Sequence, residues 1–430
     1  MVFGPTNKEF YSSTRAFVLT AVELVIRNLK ETPITSLATP NKRIPEEELF
    51  PKGRIVYPFT RTYAQKFGIH FHRLAGYSEL LETLKTDPTI SKHIDAQIGT
   101  ASFRFSFTAW DFIGNLLEKQ LSRLHEKLEF DSDTFEKSYR NLERFFYSDS
   151  IPTTSQAPLH NFDSEIENID LGGGLSIRRL GSTEQEALFS EHSSQFPRYD
   201  IMRLRYVVEF HFETKKLFGP LDQGNLSADE GITESREKIG TLVTTLRLFK
   251  PGVTGTGMVR TCHETDIPLF GGITTGYPSY GEYVGKQYHL PASELEDFRR
   301  FWKEIDFTHC NDVALRRFNY SYGRVNPEDK LIDDMIALEA LFLEGEKAGT
   351  SSKTVIAVGC STLLGKNREE RRRIRKTLMD AYELRNLIVH GSQYCRTKRE
   401  MKRGTNIDVL SALVSEVENC LRESLKKLLT

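Results

Sequence analysis

A chain of 430 residues is too long for one small core and predicts two or three domains. Its 58 Lys and Arg nearly balance 59 Asp and Glu, a formal net charge of −1, so any attraction to nucleic acid or membrane has to be local. Five scattered cysteines (Cys262, Cys310, Cys360, Cys395, Cys420), with no C-x-x-C pair, exclude a disulfide framework and a finger-type zinc site. They point to a reducing cytoplasm. The adjacent pairs Cys262-His263 and His309-Cys310 do not make a shared metal site, because neighbouring side chains on a helix or strand diverge. The start, "MVFGPTNKEF", has no basic leader, and the most apolar run, 16–26, contains Glu23 and is too short to span a bilayer. These features predict a soluble cytoplasmic protein with no membrane partner and no cofactor.

In chain order, the first element is an amphipathic helix over 8–30, with Phe10, Phe17, Val18, Ala21, Val22, Val25 and Leu29 on one side. A Pro-rich charged connection over 31–58 leads to short helices at 78–85 and 87–94. "FRFSFT" alternates like a strand but runs into a leucine pattern of helical period, which leaves strand or early helix open there. A further helix is expected over 134–146, and the Ser/Thr/Pro-rich stretch 148–161 reads as a linker containing a domain boundary. Beyond it "LGGGLSIRRL" is a glycine turn feeding a strand, and "RYVVEFHFET" alternates as a half-buried strand with His211 facing water. A helix follows over 233–249. "PGVTGTGM" at 251–258 has neither phosphate-loop nor dinucleotide spacing and is a turn. "GGITTGYPSYGEYVGKQYHL" offers Tyr277, Tyr280, Tyr283 and Tyr288 either to unpaired bases or to the packing of their own domain.

From Pro291 the chain becomes all helix. Ser293 and Glu296 form a capping box for a helix to about 307, and Asn326-Pro327 open a second. A third covers 353–364, a fourth 368–390 and the last 407–428, a bundle of five. The loop 391–405 is basic. The fold class is therefore α+β: a mostly helical domain over 1–155, a mixed central domain over 156–290 and an all-α bundle over 291–430.

The fourth helix carries the chemistry. Asn367 is its N-cap, Glu370 the capping-box partner and Gly391 its stop, and it ends in "YELRNLIVHG". Tyr382, Asn386 and His390 recur at i, i+4 on one face, whereas Arg385 and His390 lie about 140° apart around the axis. A capping histidine beside a surface arginine is the plain alternative. Between Lys366 and Arg403, thirteen Lys or Arg stand against five Asp or Glu, a local charge of +8. Within it Arg371, Arg372, Lys398 and Arg399 are the candidate RNA-phosphate contacts, with a solvated face as the alternative. Glu339, inside the apolar run "IALEALFL", needs a partner if buried, and Arg385 is the favoured one.

The run "ALRRFNYSYGRVNPEDKLIDDMIALEALFL", the helix ending "AVGCSTLLG" and then "YELRNLIVHG" resemble the Apea-like branch of the HEPN superfamily over about 310–395, and more loosely from about 171. The resemblance implies a HEPN bundle and RNA cleavage without metal, with Arg385, Asn386 and His390 as the catalytic residues. It also implies a homodimer sharing one groove, and a defence or toxin-type role. The upstream residues would then meet an unidentified trigger or inhibitor. A regulatory module that binds nucleotide or RNA, or dimerises, without cutting is the rival expectation.

Overall fold

The computed structural model describes residues 5–31, 57–101, 104–182, 184–185, 204–220, 230–265, 267, 273–275, 285–308, 310–343, 351–390 and 407–430. The chain forms two compact units. One comprises Met1–Thr154, His211–Glu234 and Thr261–Ile273, and the other Ser155–Phe210, Ser235–Arg260 and Thr274–Thr430.

The first unit is built on α1 (Lys8–Glu31), whose apolar stripe from Phe10 to Leu29 is buried as the periodicity predicts. Around it lie α2 (Pro58–Phe67), α3 (Tyr77–Thr86), the single turn α4 (Pro88–Ser91), α5 (Ala109–Leu121) and α6 (Ser132–Tyr147). The helix expected over 87–94 is only that turn: Asp87 caps it by accepting from Thr89 and Ile90 N–H, and the chain bends at the left-handed Asp95. "FRFSFT" resolves into strand and then helix. Arg104–Ser106 (β2) pairs antiparallel with Gln97–Gly99 (β1), and a capping box between Thr108 and Asp111 starts α5 at once. The core is aromatic, with Phe107, Trp110, Phe112, Phe135, Tyr139 and Phe146 all buried.

The expected linker is a strand. Ser150–His160 (β3) is eleven residues long and mostly buried, because its hydroxyls find partners that a linker would leave to water. Thr153 Oγ1 donates to Thr214 Oγ1 at 2.9 Å, Ser155 to Ser235 at 2.9 Å, and Gln156 Nε2 to Glu209 at 2.7 Å.

In the second unit β4 (Phe162–Ser164) pairs in parallel with a late strand, Tyr288–Leu290. Asn168–Gly172 (β5) turns through Gly172, Gly173 and Gly174, all at positive φ, into Leu175–Arg179 (β6), the predicted glycine turn. β6 pairs antiparallel with Tyr206–Lys215 (β7). That strand is buried on both faces from Tyr206 to Phe210 and alternates only beyond, where His211 is exposed as expected. Glu209 tolerates burial because Arg178 grips its carboxylate at 2.7 and 3.0 Å. Among the glycine-rich tyrosines, 276–284 lie outside the described residues. Tyr288 is fully buried and stacked on Phe162 at 5.7 Å, which removes it from base stacking.

The helical part contains α7 (Glu230–Phe249), α8 (Leu295–Glu304), α9 (Asp312–Ser321), α10 (Pro327–Phe342), α11 (Ser352–Leu364), α12 (Arg368–His390) and α13 (Ile407–Leu429). Six described helices therefore follow Pro291 where five were expected. The added one, α9, is opened by Asn311, whose side chain accepts from Val313 and Ala314 N–H. Ser293 is not a cap. It sits in a 3-10 turn over Ala292–Glu294, and Glu296 pairs instead with Arg299 at 2.8 Å. The bundle core runs from Phe318, Leu331, Met335 and Leu338 to Leu378, Val417 and Leu421. No described helix is long and apolar enough to cross a membrane.

Candidate active site

The helix that carries the motif starts where its sequence signals lie and is described as far as His390; Gly391, the expected stop, lies outside the described residues. Asn367 Oδ1 accepts from Glu370 N–H at 2.9 Å, and Glu370 reaches back to the N–H of Lys366, also at 2.9 Å. Ile374, Leu378 and Ala381 form its buried stripe. Past Ala381 no residue is fully buried: Tyr382 and Leu384 to Ile388 are half-buried, and Glu383, Val389 and His390 are exposed. Leu384 and Ile388 still pack against the core, and the end of the helix brings Val389 and His390 to solvent. His390 occupies the final described turn.

Arg385 is held on both sides. Its Nη2 lies 3.6 Å from Glu339 Oε2 and its Nη1 donates to Asn386 Oδ1 at 3.1 Å. Both charged side chains are about four-fifths covered, at 21% and 22% exposure, so the carboxylate within "IALEALFL" has the expected partner. Arg385 Nε is buried with no hydrogen-bond partner among the described residues. A guanidinium has five N–H donors, so donors remain for a further acceptor. Asn386 spends its carbonyl on Arg385 and keeps its amide N–H₂ to donate. The structure therefore unites Arg385, Asn386 and Glu339. His390 stands a turn beyond Asn386, separated from Arg385 by the helical geometry. Tyr382 packs half-buried against the bundle core.

The basic cluster divides. Arg371 Nε donates to Gly365 O at 3.0 Å and Arg375 Nε to Ser361 Oγ at 2.9 Å, so these two pin the start of α12 to the end of α11. Arg372 is exposed. Lys398 and Arg399, like the whole loop 391–405, lie outside the described residues.

Two features carry no sequence signal because they join distant segments. One is a cleft of about 380 Å³ between residues 251–253, Lys286, α12 and α13, lined among others by Arg373, Thr377, Asn419 and Cys420. The second is a polar network inside the bundle. Arg422, 1% exposed, donates to Arg247 O at 2.9 Å and to Tyr322 Oη at 3.0 Å, and it pairs with Glu418, which Lys330 also contacts. Burial pushes the Glu418 carboxyl up, but Lys330 and Arg422 outweigh it and hold the group below the usual range. Next to this network are two consecutive buried acids. Asp333 takes Arg317 at 2.8 Å and Arg324 at 2.7 Å, whereas neither carboxylate oxygen of Asp334 has a partner among the described residues. Burial pushes Asp334 up to about 7, with Lys330 opposing and Glu418 adding.

Among the described residues no group of three or more His, Cys, Asp or Glu is arranged to hold a metal. No protein-family model matches the chain, and neither the curated proteins nor the solved structures contain a match.

Proposed function

We propose that this chain is a metal-independent endoribonuclease of the HEPN type, a cytoplasmic effector of the defence or toxin class that works as a homodimer. The observation that carries the reading is the exposed end of α12. It holds His390 at the surface one turn beyond the half-buried Asn386, which accepts from an arginine whose charge Glu339 keeps in place. Cleavage by the RNA's own 2′-hydroxyl needs a base for that proton, an acid for the leaving 5′-oxygen and positive charge on the five-coordinate phosphate. His390 moves the protons, Arg385 offers its remaining donors to the phosphate, and Asn386 donates to the RNA or the imidazole. Because Arg385 and His390 diverge on one helix, two helices side by side across a two-fold axis supply the second histidine and close the groove.

The test is incubation of the purified protein with labelled RNA in the presence of chelator. The expected products end in a 2′,3′-cyclic phosphate and a 5′-hydroxyl. His390→Ala and Arg385→Ala should each lose about 10²–10⁴-fold in rate while staying folded. Activity abolished by chelator and restored by magnesium would refute the mechanism. A second reading has one observation in its favour: Glu339 and Asn386 already occupy the Arg385 guanidinium, as a purely structural arginine requires. A protein that binds RNA or dimerises but leaves RNA intact would select that reading.

A further inference from the structure

The cleft of about 380 Å³ is walled by stretches of the second unit alone, and its volume is that of a small-molecule site. Two of its cations are uncommitted. Arg373 on α12 and Lys286, just before the strand Tyr288–Leu290, are both exposed, and neither side chain has an ion pair or hydrogen bond with a described residue. The third cation, Arg422, is buried and paired with Glu418, which Lys330 also contacts, so that carboxylate is already neutralised. The remaining acid on the wall is Glu416. Its Oε2 accepts from Thr377 Oγ1 at 2.9 Å, and its other oxygen remains to accept. Asn419, one turn further along α13, is oriented by the buried Arg422, whose Nη1 donates to Asn419 Oδ1 at 3.2 Å and so leaves the amide N–H₂ to donate.

We propose that this cleft binds a small sugar phosphate, with the phosphate on Arg373 and Lys286 and the sugar hydroxyls on Glu416 and Asn419. Two uncommitted cations match a phosphomonoester, which carries close to two negative charges at neutral pH and accepts charge-assisted hydrogen bonds from both. A carboxylate with an open oxygen repels a second anion but accepts from hydroxyls, as acids do toward a ribose, so the wall selects against a polyphosphate and for a polyol. The described residues that line the cleft include no aromatic side chain, hence no platform on which a base would stack. The site is separate from the motif: Arg385 lies twelve residues beyond Arg373 on the same helix, about 18 Å away at the helical rise. The proposal does not rest on RNA cleavage.

The experiment is calorimetric titration of the full-length protein with ribose 5-phosphate, inorganic phosphate and adenosine 5′-monophosphate. Ribose 5-phosphate should bind once per chain and about tenfold or more tighter than inorganic phosphate, and the adenine should add less than about tenfold. Arg373→Met and Lys286→Met, which keep an unbranched stem at exposed positions, should each weaken ribose 5-phosphate by about tenfold or more with unfolding midpoints unchanged. Lys303→Met, an equal loss of charge on α8 outside the cleft, should leave the affinity as it was. Glu416→Gln keeps an acceptor for Thr377 and should bring the affinities for ribose 5-phosphate and inorganic phosphate severalfold closer together. Ribose 5-phosphate that fails to bind at millimolar concentration, or binds equally well to Arg373→Met and the parent, would overturn the proposal. So would inorganic phosphate binding as tightly as ribose 5-phosphate, which would mean an adventitious ion only, or a gain of more than about tenfold from the adenine, which would make the base the recognised part.

Discussion

Replacing Asp334 by Asn tests whether a buried acid inside the bundle is neutral at low pH and charged, at a cost, above neutrality. The carboxyl is fully buried, and neither oxygen has a hydrogen-bond partner among the described residues. Ser321, close by, gives its single hydroxyl hydrogen to Phe318 O at 2.9 Å. Burial raises the group from its ordinary 3.8 to about 7 in the fold. Below pH 3.8 the acid is protonated whether the chain is folded or not, so it exacts no ionisation penalty. As pH rises the unfolded chain ionises first, and stability falls by about 1.4 kcal/mol per pH unit until the folded group ionises too. The full loss is about 4 kcal/mol and is complete above pH 7.

Other carboxyls impose the opposite slope. Asp87, Asp131 and Glu184 are held below their usual range, so they lose stability as pH falls. The informative quantity is therefore the difference between Asp334→Asn and the parent, in which those groups cancel. The chain's two tryptophans sit in different units, Trp110 in the first and Trp302 in the second. Urea unfolding in a Trp110→Phe background, followed by Trp302 fluorescence, thus reports the unit that contains Asp334. The Asn protein should gain on the parent steadily between about pH 4.5 and 6.5 and hold a constant advantage above about pH 7.5. A difference that is flat across that range would mean that Asp334 is ionised and satisfied in the fold, and the reasoning from burial would fail.

Gly365→Ala places a Cβ 2.3 Å from Arg371 Cγ and 2.7 Å from Ser361 O, so the second unit should lose about 1–3 kcal/mol in the same fluorescence assay. Arg372→Glu should weaken RNA binding and flatten its salt dependence in a gel-shift titration with stability unchanged, whereas Arg371→Glu should also lower the unfolding midpoint, because Arg371 holds Gly365 O. Equal stability of the two charge reversals would show that this hydrogen bond contributes nothing. Glu339→Gln removes the carboxylate beside Arg385 and should cost about 1 kcal/mol, measured by denaturation at low and high salt, with the cost shrinking at high salt.

Long periodic helices were legible from sequence because each carries its own signal. The stripe of α1 and the start of α12 fall where spacing and capping residues place them. Glu339 was also readable, since a carboxylate within an apolar run has to be neutralised and Arg385 lies in the same bundle. What failed was composition used in place of pairing. Ser, Thr and Pro over 148–161 signal a linker only if their hydroxyls go to water, and Thr214, Ser235 and Glu209, each more than fifty residues away, supply the partners instead. No local window contains that information. The helix α9 was missed for the opposite reason: Asn311 is an audible cap, but the ten residues after it bury only Ala314, Phe318 and Ser321, too short a stripe to stand out.

The same contrast separates the parts of the candidate site. The sequence names Arg385, Asn386 and His390, and helical geometry alone says that the first and last diverge. Which charge Arg385 already carries against it depends on Glu339, forty-six residues earlier on another helix. That pairing decides the chemistry left to Arg385. A free surface arginine would be a mobile point charge, whereas one fixed by Glu339 and Asn386 has lost most of its conformational freedom before a phosphate arrives. The cost is that Glu339 cancels part of the field at the phosphate. In the proposed cleavage, a rate that depends on placement falls in Glu339→Gln despite the added net positive charge, and a rate that depends on field strength rises. The sign of that one rate change therefore says whether Arg385 acts through its position or its charge.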